Sequence, residues 1–149
     1  MDIMRKGHSD GGYGATQIWE RLWLGSLADA ERLAEANPNG ITTVISLSGV
    51  AVRSMRTDMA YVHIPLEDDQ PVPIRQFYRV TDAIRKNIRW GKVLLNCGEG
   101  ISRAPSLAAA YLHVTGYKKL DAALVEIKRV CPFINPSDIL LESLRRHLV

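Results

Sequence analysis

With 149 residues, 46% of them hydrophobic and 23% charged, the chain carries enough apolar material for one sizeable core, and one compact domain is expected. Its formal charge of +3 at pH 7 is modest, and the basic residues are scattered rather than striped, which argues against a dedicated nucleic-acid surface while suiting an acidic, phosphorylated ligand. Met1 to Lys6 meets charge too early for a secretory leader and no run approaches membrane length. Cys97 and Cys131 do not make a disulfide framework, so a reducing, cytoplasmic setting away from membranes is expected.

Residues 1–15, crowded with Gly7, Ser9, Asp10, Gly11, Gly12 and Gly14, read as a loose tail ahead of a domain over 16–149. Beyond it, short apolar runs alternate with helix-period segments, the pattern of an α/β fold with a central mixed sheet flanked by helices. Strands are expected at Leu22–Leu24, Ile41–Leu47, Tyr61–Ile64 and Val93–Asn96, closed by Gly25, Ser48, Pro65 and Gly98. Helices are expected at Leu27–Ala36 behind Ser26 as N-cap, at Arg75–Trp90 with Phe77, Val80, Ile84 and Ile88 at helical spacing, and at Pro105–Thr115 before Gly116. Two more follow, at Asp121–Val130 before Pro132 and at Ser137–Leu148. No internal repeat divides the chain.

The chemistry gathers where the fourth strand meets its helix, in Asn96-Cys97-Gly98-Glu99-Gly100-Ile101-Ser102-Arg103-Ala104. Cys97 follows an apolar strand and faces a helix N-terminus, whose first-turn amides lack intrahelical acceptors. Gly98 and Gly100 permit a tight loop, so residues 98–103 (Gly98, Glu99, Gly100, Ile101, Ser102 and Arg103) form a candidate anion nest of successive amides. The same dipoles favour a thiolate, which makes Cys97 a candidate nucleophile. Arg103, six residues on, reaches back across the loop with a planar fork suited to two phosphate oxygens. Taken alone, Cys97 reads as a small buried hydrophobe and Arg103 as a surface charge. A cation at a helix N-terminus opposes the dipole, however, and a resident anion accounts for its placement.

Cys97, five intervening residues and Arg103, with Gly100 between them, resemble the signature of the cysteine-dependent protein phosphatases of the dual-specificity type. The likeness runs further, through Leu22-Trp23-Leu24-Gly25-Ser26, Gly40 to Ser48, Tyr61-Val62-His63-Ile64-Pro65-Leu66-Glu67-Asp68 and Ser106 to Leu112. It implies a hydrolase that needs no metal or cofactor, acting on a phosphorylated protein or small phosphomonoester: Cys97 attacks phosphorus, a thiophosphate forms and water hydrolyses it. By position Asp68 is the implied general acid, with Asp69 its rival. Glu67, Asp68 and Asp69 repel one another when ionised, which helps keep one proton near the phosphate. Two positions depart from the family's pattern. Asn96 stands where the family usually has histidine, and Ala104 where it usually has serine or threonine, so slow breakdown of the intermediate is expected.

Three classes of function are compatible with these residues: a phosphotyrosine and phosphoserine/threonine hydrolase, a weakened phosphate-binding module, and the same chemistry on a phosphoinositide, a sugar phosphate or an RNA 5′ end. Cys131 beside Pro132 reads as structural, and His63 as a satisfied sheet residue. Trp19, Trp23 and Trp90 read as core or edge packing. Glu99 is expected to point its side chain away while its amide faces inward.

Overall fold

The computed structural model describes residues 14–149; all but the last two residues of the expected tail lie outside them. Ten elements follow in chain order: β1 (Thr16–Trp19), β2 (Leu22–Ser26), α1 (Leu27–Arg32), β3 (Ile41–Ser46), β4 (Ala60–His63), α2 (Ile74–Ile88), β5 (Lys92–Cys97), α3 (Arg103–Val114), α4 (Leu120–Val130) and α5 (Asp138–His147). The strands form one sheet in the order β1-β2-β5-β3-β4. β1 runs antiparallel to β2, and the other pairs are parallel, so the sheet is mixed as expected.

β5 sits at the centre because Val93 to Cys97 is buried throughout, as a parallel strand covered on both faces must be. Alternate residues divide between two cores. Val93, Leu95 and Cys97 join Leu22, Leu24, Ile45 and Leu47 under α2, α3, α4 and α5, while Leu94 joins Trp23, Val44, Ala30 and Leu33 beneath α1. This period of two puts the Cys97 side chain on the α3 side of the sheet and Asn96 on the other. Among the described residues, no helix is long and apolar enough to cross a membrane.

Several boundaries differ from the sequence expectations for physical reasons. α1 stops at Arg32 rather than Ala36, because the Asn37 side chain bonds both the amide and the carbonyl of Ile41 at 2.9 Å and folds the chain back into β3. Its N-terminus is as expected: Ser26 Oγ accepts from the Asp29 amide at 3.1 Å, and Asp29 returns the bond to the Ser26 amide. α3 begins at Arg103, two residues before Pro105, since a proline in the first turn removes an amide that has no intrahelical acceptor. Trp90 does not pack: α2 ends at Ile88, so the indole falls outside the helical face and is 84% exposed. Trp23 is buried, and Trp19 rests on Tyr117 with ring centroids 5.4 Å apart. β1 has no counterpart among the expected strands. It pairs through a tight turn in which Arg21 takes a left-handed φ of 61° and donates to the Ile88 carbonyl at the end of α2.

Candidate active site

The loop from Cys97 to Arg103 joins the central strand to α3, and its carbonyls are tied outward. Gly98 O accepts from the Leu27 amide at 2.9 Å, and Ile101 O from the Asn135 amide at 2.7 Å. With these carbonyls turned to the flanking structure, the amides of residues 98–103 have no protein acceptor among the described residues. Gly100 makes this path possible. Its φ is +77°, and a Cβ there would lie 2.8 Å from the Gly25 carbonyl oxygen, so any side chain would lift the loop off β2.

These residues line one cavity of about 260 Å³, bounded by Asp68, Cys97, Gly98, Glu99, Ile101, Ser102 and Arg103. That is below the range of drug-sized sites and suits a phosphate with the first atoms of its ester. Cys97 is 2% exposed, and its sulfur takes a hydrogen bond from the Ala104 amide at 3.3 Å. An amide of the first helical turn thus points at the sulfur.

Arg103 folds back as its position in sequence suggests. Nη1 donates to the Leu66 carbonyl at 3.0 Å and to the Leu47 carbonyl at 3.4 Å, and Nη2 lies 3.1 Å from where a Gly98 Cβ would be. The Nε atom is buried without a partner. One edge of the guanidinium is therefore held by the protein, and the edge carrying Nε keeps its donors for a ligand. A buried donor without an acceptor is costly, and an oxyanion in the cavity would relieve that cost.

Asp68 and Asp69 occupy the connection from β4 to α2, and the structure separates them. Asp68 lines the cavity. Asp69 has a left-handed φ of 60°, sends its amide to Asp68 Oδ1 at 3.0 Å and accepts from Ser137 Oγ at 2.8 Å. Glu99 is exposed at the rim. His63 sends Nε2 to the Ser48 carbonyl at 2.7 Å. Asn96 is fully buried behind the loop, where Ser46 Oγ donates to its Oδ1 at 2.7 Å while its Nδ2 has no partner. Sequence reasoning missed the carbonyls of Leu47 and Leu66, which carry no side-chain signal, and took Ser137 only as a helix cap.

The chain matches the family described as dual specificity phosphatase, catalytic domain, over residues 22–148. It is 30% identical over 133 residues to dual specificity protein phosphatase 18 of Bos taurus, covering 88% of this chain and 71% of that one. Against dual specificity protein phosphatase 1 of Mus musculus it is 30% identical over 126 residues, 83% of this chain but only 34% of that longer protein. The crystal structure of DUSP15 is similar with a TM-score of 0.75 and 30% identity, over 91% of this chain and 85% of that one. The chain belongs to the dual specificity phosphatase family and is a cysteine-dependent protein phosphatase.

Proposed function

We propose that this phosphatase hydrolyses phosphotyrosine, and with it phosphoserine and phosphothreonine, through a cysteinyl-phosphate intermediate. The observation that carries the reading is the single cavity in which the Cys97 sulfur, the open edge of Arg103, unpaired loop amides and the Asp68 carboxyl meet.

In the first step the Cys97 thiolate attacks phosphorus; the S–P bond forms as the bond to the ester oxygen breaks. The departing oxygen takes the proton of the Asp68 carboxylic acid, a contribution worth about 10²–10⁴-fold for a poor leaving group. Negative charge on the equatorial oxygens falls to Arg103 and to amides already in position, which need no reorganisation as the charge moves. In the second step water attacks phosphorus and gives a proton to the Asp68 carboxylate. The S–P bond breaks, returning the thiolate and releasing inorganic phosphate. Ala104 has no hydroxyl to donate to the departing sulfur, so this second step is the slow one.

The test is turnover of p-nitrophenyl phosphate and of phosphopeptides bearing each of the three residues. Cys97→Ser should abolish turnover of all of them, because an alkoxide is not available at neutral pH as a thiolate is, with the thermal midpoint near that of the parent. Retained activity in that variant would exclude the cysteine mechanism. A parent protein that turns over the aryl ester but none of the phosphopeptides would move the substrate to a non-protein phosphate.

A further inference from the structure

The connection between α4 and α5 touches both halves of the site. The Asn135 amide holds the Ile101 carbonyl at 2.7 Å, and the Ser137 amide donates to Ser102 Oγ at 3.0 Å, so two residues of this connection, on either side of Pro136, grip the phosphate loop. The Ser137 hydroxyl turns the other way and donates to Asp69 Oδ1 at 2.8 Å. α5 in turn grips the connection that carries Asp68 and Asp69: the Val72 amide donates to Ser143 Oγ at 2.9 Å, and His147 Nε2 meets the Val72 carbonyl at 2.6 Å. Residues 69–72 are thereby fastened to α5, while residues 101 and 102 are fastened to the stretch that leads into it.

Asp69 is the point where this matters. Its left-handed backbone is unfavourable for a residue with a Cβ, though aspartate tolerates it better than most. In that conformation its amide reaches back to Asp68 Oδ1 at 3.0 Å. A conformation of this kind persists only where the surroundings hold it, and the Ser137 hydroxyl is the side chain that binds the Asp69 carboxylate. The chain of contacts runs from the α5 N-terminus through Ser137 and Asp69 to the carboxyl that lines the cavity.

We infer that Ser137 is a positioning residue for the general acid: its hydroxyl fixes Asp69 in the left-handed turn that aims Asp68 at the leaving oxygen, while its own amide holds the phosphate loop. This rests on the reading of Asp68 as the acid. Ser137 touches neither substrate nor phosphorus. Losing its hydroxyl should weaken protonation of the leaving group and leave attack by Cys97 largely intact.

The hydroxyl also accepts from the Leu140 amide at 3.3 Å as the N-cap of α5, so the two roles must be separated. Ser137→Asp keeps a good cap but sets a carboxylate against Asp69. Ser137→Thr keeps both bonds, and Ser137→Ala loses both. The measurement is kcat and KM on p-nitrophenyl phosphate and on an alkyl phosphate, beside Asp68→Asn, with thermal melting of every variant. Misplacing a reacting group by about 1 Å costs on the order of 10²-fold. The aryl-to-alkyl ratio of kcat/KM, which reports formation of the intermediate even where its hydrolysis limits kcat, should therefore rise about tenfold to a hundredfold in Ser137→Asp and Ser137→Ala and return to the parent value in Ser137→Thr. If Asp68→Asn raises the ratio and Ser137→Asp does not, the positioning role is overturned while the acid assignment stands. If Ser137→Asp slows both substrates equally, the residue is structural and the inference is wrong. If Asp68→Asn itself leaves the ratio unchanged, the acid assignment and this inference fall together.

Discussion

Cys97 and Cys131 are the same residue type, both free and both buried, yet their surroundings have opposite chemical consequences. Cys97 ends the central strand, receives the Ala104 amide on its sulfur and opens onto a cavity that also holds a guanidinium. Cys131 closes α4, is 0% exposed and is packed within the large core under the sheet. Burial pushes its thiol up to about 11, against a smaller opposing contribution from the Thr16 side chain. Burial alone therefore does not determine what a cysteine does. A sulfur with an amide directed at it and anion-binding groups around it is equipped to act, whereas a sulfur among apolar side chains stays protonated.

Alkylation offers the largest test of this contrast. A thiol titrating at about 11 is ionised to roughly one part in a thousand at pH 8, and Cys131 is closed to solvent besides. Iodoacetate at neutral pH should modify Cys97 and leave Cys131 intact in the folded protein, and vanadate or tungstate should protect Cys97 by filling the loop. Peptide mapping after brief exposure reads both sites. Equal labelling of the two, or labelling of Cys97 that oxyanions do not slow, would erase the distinction.

A smaller effect sharpens the Cys97 side. Because Ala104 offers its amide but no hydroxyl, rapid mixing with p-nitrophenyl phosphate should give a burst of p-nitrophenol near one equivalent followed by slower turnover. Ala104→Ser should accelerate the slow phase by about ten- to a hundredfold, the value of a charge-assisted hydrogen bond of about 1.5–3 kcal/mol. Absence of a burst, together with no gain from the substitution, would move the slow step to formation of the intermediate.

The smallest effect belongs to Cys131 and is one of stability. Its folded value is raised above the ordinary 9.0, so the stability linked to its proton is fully present below about pH 9 and is lost as pH rises through about 11. The loss is on the order of 2 kcal/mol. Tyr111, also raised by burial, adds to the same decline. Denaturant midpoints taken from pH 8 to 11 should fall, and the fall should be shallower in Cys131→Ala than in the parent. Parallel curves for the two proteins would deny Cys131 its part.

Much of this was legible in the sequence because it depends on local chemistry. Strands such as Ile41–Ser46 and Lys92–Cys97 announce themselves by short runs rich in β-branched and large apolar residues, and Cys97 and Arg103 by their spacing around glycines at a strand-to-helix turn. What was hidden depends on contacts distant along the chain. The turn that creates β1 uses Arg21, a residue with no turn preference, steadied by a carbonyl 67 positions away. The acceptors that pin Arg103 are main-chain carbonyls, identical in every residue, and Ser137 meets Asp69 only after α5 has folded beneath the acid loop. Trp90 misled because an indole usually packs, and here the helix ends two residues too soon.

The loop at residues 98–103, the proposed anion cradle, is a path of main chain anchored through Gly98 and Ile101 to distant segments and seated on Gly25. This leaves the side chains at its rim unburdened by the task of holding a charge. Glu99 and Ile101 border the cavity while, on the proposed reading, their backbone amides hold the anion, so the two jobs fall to different atoms of the same residues. On the proposed mechanism, what surrounds the phosphate in a substrate meets the side chains at the rim, while the phosphate itself meets main-chain amides and Arg103.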